Sequence, residues 1–399
     1  MTGNAVAGDA DQPLAVYIHW PFCESKCPYC DFNSHVAADI DHAQWRAALL
    51  AELRHYAALT GKRPVGSVFF GGGTPSLMQP ATVAALIDAV GALWGWDESL
   101  KAAPEITLEA NPSSVEAGRF RDFRAAGVGR LSLGVQAFDA AALRFLGRRH
   151  DQAQAERALA IAAETFPRHS FDLIYARPGQ TPDAWRDELG YALGFAGDHL
   201  SVYQLTIEPG TAFFRDRVAA ADEDAAVDMF EMTRALLADA GLPAYEVSNH
   251  ARPGGESRHN LCYWRGGDYV GVGPGAHGRL TIGGAFLATH QIADPARWLK
   301  QVTKKGEGTA KTRKLAARER AEEMVMTGLR MAEGLDTERL ELASGMALDD
   351  LVQPGSLERC LSGGLLAAEG GRLVATAQGV LRLNAMLAYL LAPTADETD

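Results

Sequence analysis

Three of the chain's five cysteines, Cys23, Cys27 and Cys30, fall within eight positions of the stretch VYIHWPFCESKCPYCDFN, residues 16–33, spaced C-x3-C-x2-C. Thiolates gathered in one short loop suit a soft metal centre. Zinc normally takes a fourth protein ligand, which His19 or His35 would have to supply. A [4Fe–4S] cube on three cysteines instead leaves one iron open to a small molecule, so the missing fourth cysteine has a chemical use. Spacing favours the cube and leaves zinc as the alternative. Cys262 and Cys360 read as inert, half-buried thiols, although Cys262 could also ligate iron through sulfur.

Further candidates stand where short apolar runs end. Gly71–Pro75 (GGGTP) follows one run; its glycines permit close backbone approach, and its amides can face a carboxylate or amine. No Gly-Lys-Ser/Thr follows, so it is not a nucleotide P-loop. Glu109 ends the next run in LEANP, Gln136 the next in LGVQAF; Arg148 follows in GRRH, and Asp172 lies in FDLIY. Singly, a glycine cluster is a turn and a strand-end Glu or Gln a solvated side chain. Their recurrence at successive run ends points to one site.

The elements that would position these residues are six strand-like runs, 14–19, 65–70, 105–110, 130–135, 170–175 and 199–205. Amphipathic segments lie between them at 43–59, 81–94, 114–126, 152–165 and 182–195, with a further helix at 222–240. This alternation predicts a parallel sheet with crossover helices. Six units are too few for a closed eight-fold barrel, so an α/β fold with a partial, TIM-like (β/α)6 barrel over residues 14–245 is expected, a doubly wound sheet being the other arrangement the pattern allows. Chemistry in such barrels gathers at the C-terminal strand ends. Residues 246–310, rich in Gly and aromatics, read as a functional excursion and connection. Residues 311–392 read as a helical, winged-helix-like domain with a small β-wing turning at Gly370-Gly371. Residues 1–13 are expected to be a disordered N-terminus and 393–399 a frayed tail.

The bulk composition agrees. A chain of 399 residues, 47% hydrophobic and 22% charged, reads as soluble and globular. The net charge of −12 argues against a nucleic-acid partner. No secretory signal or membrane span is evident, so a cytoplasmic address is expected. Against the acidic background, residues 300–320 carry eight Lys or Arg. They read as a solvated helix face and linker; a sharper alternative is peripheral contact with an anionic membrane at the cytoplasmic face.

C-x3-C-x2-C with Tyr29 before the last cysteine resembles the radical S-adenosylmethionine (SAM) superfamily, in which the SAM amine and carboxylate chelate the open iron. From residue 14 to 391 the chain is similar to the oxygen-independent coproporphyrinogen oxidase group of that superfamily. The resemblance implies a SAM site at Tyr17, Tyr29, Gly72, Gly73, Thr74, Glu109, Gln136, Arg148 and Asp172. Two departures set the chain apart from the oxidases. They carry a further cysteine where this chain has Phe32, and a longer N-terminal extension. Both differences, and the HNxxYW motif in RHNLCYW (258–264), resemble a branch regarded as haem chaperones that pass haem to respiratory enzymes. His259 is then expected to ligate haem iron, with Tyr263 and Trp264 packing the porphyrin, and contact with haem propionates becomes a further alternative for the basic run 300–320. The expected function is haem carriage with a SAM-loaded cluster and, if SAM is cleaved, an electron donor. The alternatives are oxidative decarboxylation of coproporphyrinogen III, or another radical SAM reaction.

Overall fold

The computed structural model describes residues 13–392 except Ala38, Lys101 and Ala102; the expectations for residues 1–12 and 393–399 lie outside the described residues. Six parallel strands form the centre: β1 (Leu14–Trp20), β2 (Val65–Gly72), β3 (Glu105–Ala110), β4 (Arg130–Gln136), β5 (Arg168–Tyr175) and β6 (His199–Gln204). They lie side by side in chain order. Val16, Ile18, Val68, Phe70 and Leu108 are wholly buried, as expected of parallel strands covered on both faces. The crossover helices include α1 (His42–Thr60), α2 (Pro80–Trp94), α3 (Gln152–Thr165), α4 (Pro182–Leu193) and α5 (Glu223–Asp239). On α1, Asp41 caps the Gln44 amide, and Trp45, Leu49, Glu52, Leu53 and Tyr56 turn one stripe inward.

The segment expected as one helix over 114–126 is two short helices, Ser114–Ala117 and Phe120–Ala125. Gly118 lies at the break, and the Arg119 guanidinium there donates to the carbonyls of Ser76 (2.8 Å) and Met78 (2.5 Å).

β1 and β6 are not paired, so the barrel is open, and the sheet continues beyond both. β7 (Asn249–Ala251) runs antiparallel to β6. Beside β1, β8 (Tyr269–Val272) runs parallel to it, and β9 (His277–Ile282), β10 (Ala285–Gln291) and β11 (Thr309–Lys314) follow antiparallel. Residues 246–310 are therefore not a loop: they supply β7 to β10 and the helices α6 (Arg258–Trp264) and α7 (Pro295–Lys305). Their glycines answer to strand crowding, since a Cβ on Gly271 would overlap the His277 carbonyl and one on Gly278 would sit 2.5 Å from Thr289 Oγ1. Glu52 fastens this extension to α1. Its buried carboxylate accepts from the Gly273 amide (2.8 Å), the Gly308 amide (2.7 Å) and Trp298 Nε1 (3.1 Å).

The basic segment is equally ordered. β11 is an exposed edge strand whose Lys and Arg discourage edge-to-edge pairing. Arg313 pairs with Glu319, Arg318 with Glu322, and buried Arg320 donates to the Gly266 carbonyl. The C-terminal part starts with α8 (Ala317–Gly328) and adds short helices, a three-stranded wing formed by Leu335–Asp336, Leu366–Glu369 and Arg372–Ala375, and a last helix, Leu383–Leu390. It has its own core around Met324, Val325, Leu329, Leu340, Leu351 and Cys360. No helix among the described residues is long and apolar enough to cross a membrane.

Candidate functional site

The end of β1 delivers the chain to the cysteine loop. Phe22–Cys23 pairs in parallel with His35–Val36, closing the loop at its base. Glycines let it pack against the barrel mouth: a Cβ on Gly73 would lie 2.7 Å from the Phe22 carbonyl oxygen, and one on Gly147, where φ is 66°, 2.6 Å from Pro28 Cδ. Each thiol has a polar neighbour. Thr74 Oγ1 lies 3.4 Å from Cys23 Sγ, Arg148 Nη1 3.4 Å from Cys27 Sγ, and Ser34 Oγ 3.7 Å from Cys30 Sγ. Burial pushes the Cys23 and Cys30 thiols up from their usual range. Among the described residues no three His, Cys, Asp or Glu side chains converge to hold a single metal ion. The three thiols instead line one side of a solvent-facing cleft of about 1050 Å³, an arrangement that fits a multi-iron cluster taking one thiolate per iron.

Gly72, Gly73, Thr74, Tyr29, Glu109, Gln136, Arg148 and Asp172 line the same cleft. Glu109 is on β3 and Asp172 on β5, on either side of β4. Burial, then the Asp172 charge, pushes Glu109 up to about 8, although the Gly72 amide hydrogen-bonds its carboxylate. Burial raises Asp172 to about 6 against the Ser201 hydroxyl and the charges of Arg130 and Arg148. Two raised acids in one cleft are ready for a ligand that carries positive charge. Arg148 Nη2 donates to Asn111 Oδ1 and the Gly134 carbonyl, both at 2.7 Å, while its buried Nε has no partner among the described residues. Gln136 stands at φ 71°, where the β4–β5 register shifts; a non-glycine residue there costs about 1–3 kcal/mol. The donor set thus fits both a cluster and a ligand bearing amine, carboxylate and cationic sulfur.

Three residues of the site were not read from the sequence. Asn111 bridges Arg148 and Thr74 Oγ1 (3.2 Å), Ser132 lines the cleft, and His150 Nε2–H donates to the Val135 carbonyl at 3.0 Å. Asn111 was legible as the polar residue two places after Glu109 in LEANP; the other two have no local signal.

Tyr17 is placed apart. Its hydroxyl meets His19 Nδ1 (3.0 Å), its ring stacks on Phe69, and it faces a second cleft of about 1040 Å³, solvent-facing space included. The two clefts share Phe32, Gly72 and Glu109.

The three residues expected at haem part company. RHNLCYW is a helix, α6, capped by Ser257 on the Asn260 amide, and not a glycine-hinged loop. His259 is 1% exposed. Its Nδ1 meets Ser67 Oγ (3.1 Å), its Nε2 meets the Tyr263 hydroxyl (2.7 Å), and its ring stacks on Phe69 at 5.0 Å. Burial and the Arg130 charge push it down to about 3, so it is neutral. With both nitrogens engaged, His259 presents no free lone pair to iron. Tyr263 reaches the second cleft. Trp264 lies on another side, under the Arg330 guanidinium at 4.8 Å. Cys262 Sγ lies 3.5 Å from the Asp268 carbonyl, and Cys360 is core.

A parallel half-barrel with a three-thiol loop after its first strand and a polar cleft across its strand ends defines the radical SAM architecture. The description "Radical SAM superfamily" matches residues 17–192, and "HemN C-terminal domain" matches residues 315–382. The chain is 41% identical over 393 residues to the mouse (Mus musculus) "Radical S-adenosyl methionine domain-containing protein 1, mitochondrial", covering 96% of this chain and 88% of that one. It is 38% identical over 383 residues to "Heme chaperone HemW" of Escherichia coli K12, covering 95% and 98%. The solved coproporphyrinogen III oxidase (HemN) of Escherichia coli superposes with a TM-score of 0.80 at 24% identity, covering 97% of this chain and 92% of that one, a likeness of fold. The chain belongs to the radical SAM superfamily, in the family of these mouse and bacterial relatives. Membership implies SAM and a [4Fe–4S] cluster.

Proposed function

We propose that this protein is a haem chaperone: it carries haem and delivers it to respiratory haem proteins while holding SAM at a [4Fe–4S] cluster. The observation that carries the reading is 38% identity, end to end, with a bacterial protein named a heme chaperone. Phe32, 59% exposed at the cleft rim, is consistent with it, standing where the similar oxidases place a further cysteine. Cys23, Cys27 and Cys30 would hold the cluster. When bound, it supplies one-electron chemistry and an open iron for the SAM amine and carboxylate. Around it, Glu109 and Asp172 accept from amine or ribose hydroxyls, Arg148 pairs the carboxylate, and Gly72, Gly73 and Thr74 present backbone and hydroxyl groups. Tyr29 contacts SAM from the cysteine loop, Gln136 from its constrained turn, and Tyr17 from the neighbouring cleft across Glu109. The protein works in the cytoplasm and touches the membrane peripherally where recipients sit; an electron donor is required if SAM is cleaved.

Hemin titration of anaerobically prepared protein, beside an assay with coproporphyrinogen III, tests this reading. Haem binding without decarboxylation is expected; robust decarboxylation by the unmodified chain would overturn it.

A further inference from the structure

The second cleft has three tyrosines, Tyr17, Tyr263 and Tyr269, among its walls, and His277 and His290 at its mouth. The two histidines face each other across β9 and β10, and His290 faces Lys311 on β11. Directly opposed residues of antiparallel strands share a face, with Cβ atoms about 5 Å apart. His277, His290 and Lys311 therefore form one row. The two imidazoles stack at 4.1 Å between centroids, 18° from parallel. His277 and Lys311 are exposed and His290 half-buried.

His19 and His259 have both ring nitrogens engaged, and His35, which does not line this cleft, has one. His19 meets Tyr17 and the Asn33 carbonyl (2.9 Å), and His35 Nε2 meets Asn33 Oδ1 (3.0 Å). His259 lies behind Tyr263, occupied at both nitrogens. His277 and His290 make no hydrogen bond to another described residue, so they present lone pairs where the apolar faces of Tyr263 and Tyr269 meet solvent. A flat, apolar, dianionic metal macrocycle matches that set: aromatic walls for the ring, imidazole for the metal and an ammonium for a carboxylate at the edge.

We infer that haem seats in this second cleft, beside the SAM site, with the His277–His290 pair providing the iron ligand, Lys311 meeting a propionate, and His259 acting only as a positioning residue through Tyr263. The inference rests on the haem reading above and adds its place and ligands.

The test is hemin titration of the full, cluster-loaded chain and its variants, read by Soret position, affinity, iron–sulfur content and SAM binding. The His277→Ala/His290→Ala double variant should lose the imidazole-ligated spectrum and bind hemin about tenfold or more weakly, equivalent to about 1.4 kcal/mol. Its cluster content and SAM binding should not change, and added imidazole should restore the wild-type spectrum. Metal-free protoporphyrin IX should bind wild type and double variant alike, because it needs only the walls. Lys311→Glu should weaken hemin but not hemin dimethyl ester. His259→Ala should keep the imidazole-ligated spectrum. A double variant with wild-type spectrum and affinity, or loss of the ligand signature in His259→Ala alone, would overturn the inference and leave the chaperone reading standing. Wild type that binds no hemin would end both.

Discussion

The cysteine loop and the two raised acids can be tested separately, because they meet a cofactor through different atoms. Cys27→Ser should abolish the cluster, since an alkoxide is a poor replacement for thiolate; Cys262→Ala and Cys360→Ala should leave about four irons per chain, measured by iron and sulfide analysis. Glu109→Ala and Asp172→Ala should keep the cluster but weaken SAM about ten- to a hundred-fold, for charge-assisted bonds of about 1.5–3 kcal/mol each. The charge state gives a sharper measure. A cationic ligand draws a proton off Glu109, whose ligand-free value is near 8. SAM affinity should therefore rise between pH 6 and pH 8 in wild type and stay flatter in Glu109→Gln; parallel profiles would remove Glu109 from the site. The linkage to stability has the opposite direction. The folded Glu109 keeps a proton that the unfolded chain releases near pH 4.3, so its contribution is fully present below that pH and is lost as pH rises toward 8. In ligand-free protein, wild type should lose thermal stability relative to Glu109→Gln between pH 5 and pH 8.

Between elements, the site depends on close approaches that only small residues or buried acceptors allow. A methyl on Gly73 would press on the Phe22 carbonyl, which is backbone and cannot swing away. Gly73→Ala should lower the melting temperature and the iron content together. Gly190→Ala, in α4 with open space around it, should instead stabilise the chain by about 0.5–1 kcal/mol through helix propensity. Glu52 joins α1 to the sheet extension that carries His277 and His290. Glu52→Ala strands two amides and an indole N–H, and at about 1–3 kcal/mol for each unsatisfied buried donor it should cost about 3 kcal/mol or more in chemical denaturation. A loss below about 1 kcal/mol would show that the extension does not depend on it.

Across the whole molecule, the two clefts are joined through Phe32, Gly72 and Glu109. Occupancy of one should therefore be felt in the other, and a coupling free energy is reciprocal. SAM should change hemin affinity by the same factor by which hemin changes SAM affinity, and Glu109→Gln should reduce both. Independent titrations would mean that the shared wall is rigid. The C-terminal part joins the barrel through Arg320 on the Gly266 carbonyl, Arg279 on Glu323 at 2.8 Å and Arg265 on Glu333 at 2.7 Å. These contacts reach the extension and the end of α6.

The sequence alone determined what depends on local order. Apolar runs between amphipathic segments specified β1 to β6 and α1 to α5 to within two residues, whereas the segment 114–126 broke into two short helices at Gly118. C-x3-C-x2-C specified a thiol loop because its ligands are neighbours in the chain. Run-end positions pointed to one shared cleft, because a parallel barrel brings such ends to one mouth. Pairings distant in the chain were not legible. Gly271 and Gly278 looked like loop residues because the strands that crowd them are defined only by each other. His259 looked available because Ser67 closes on it only when α6 packs on β2, and with Tyr263, one turn along the same helix, it then has both nitrogens engaged. The facing of His277, His290 and Lys311 follows from antiparallel register, which no single strand carries, and only the tertiary structure brought them beside the cluster cleft.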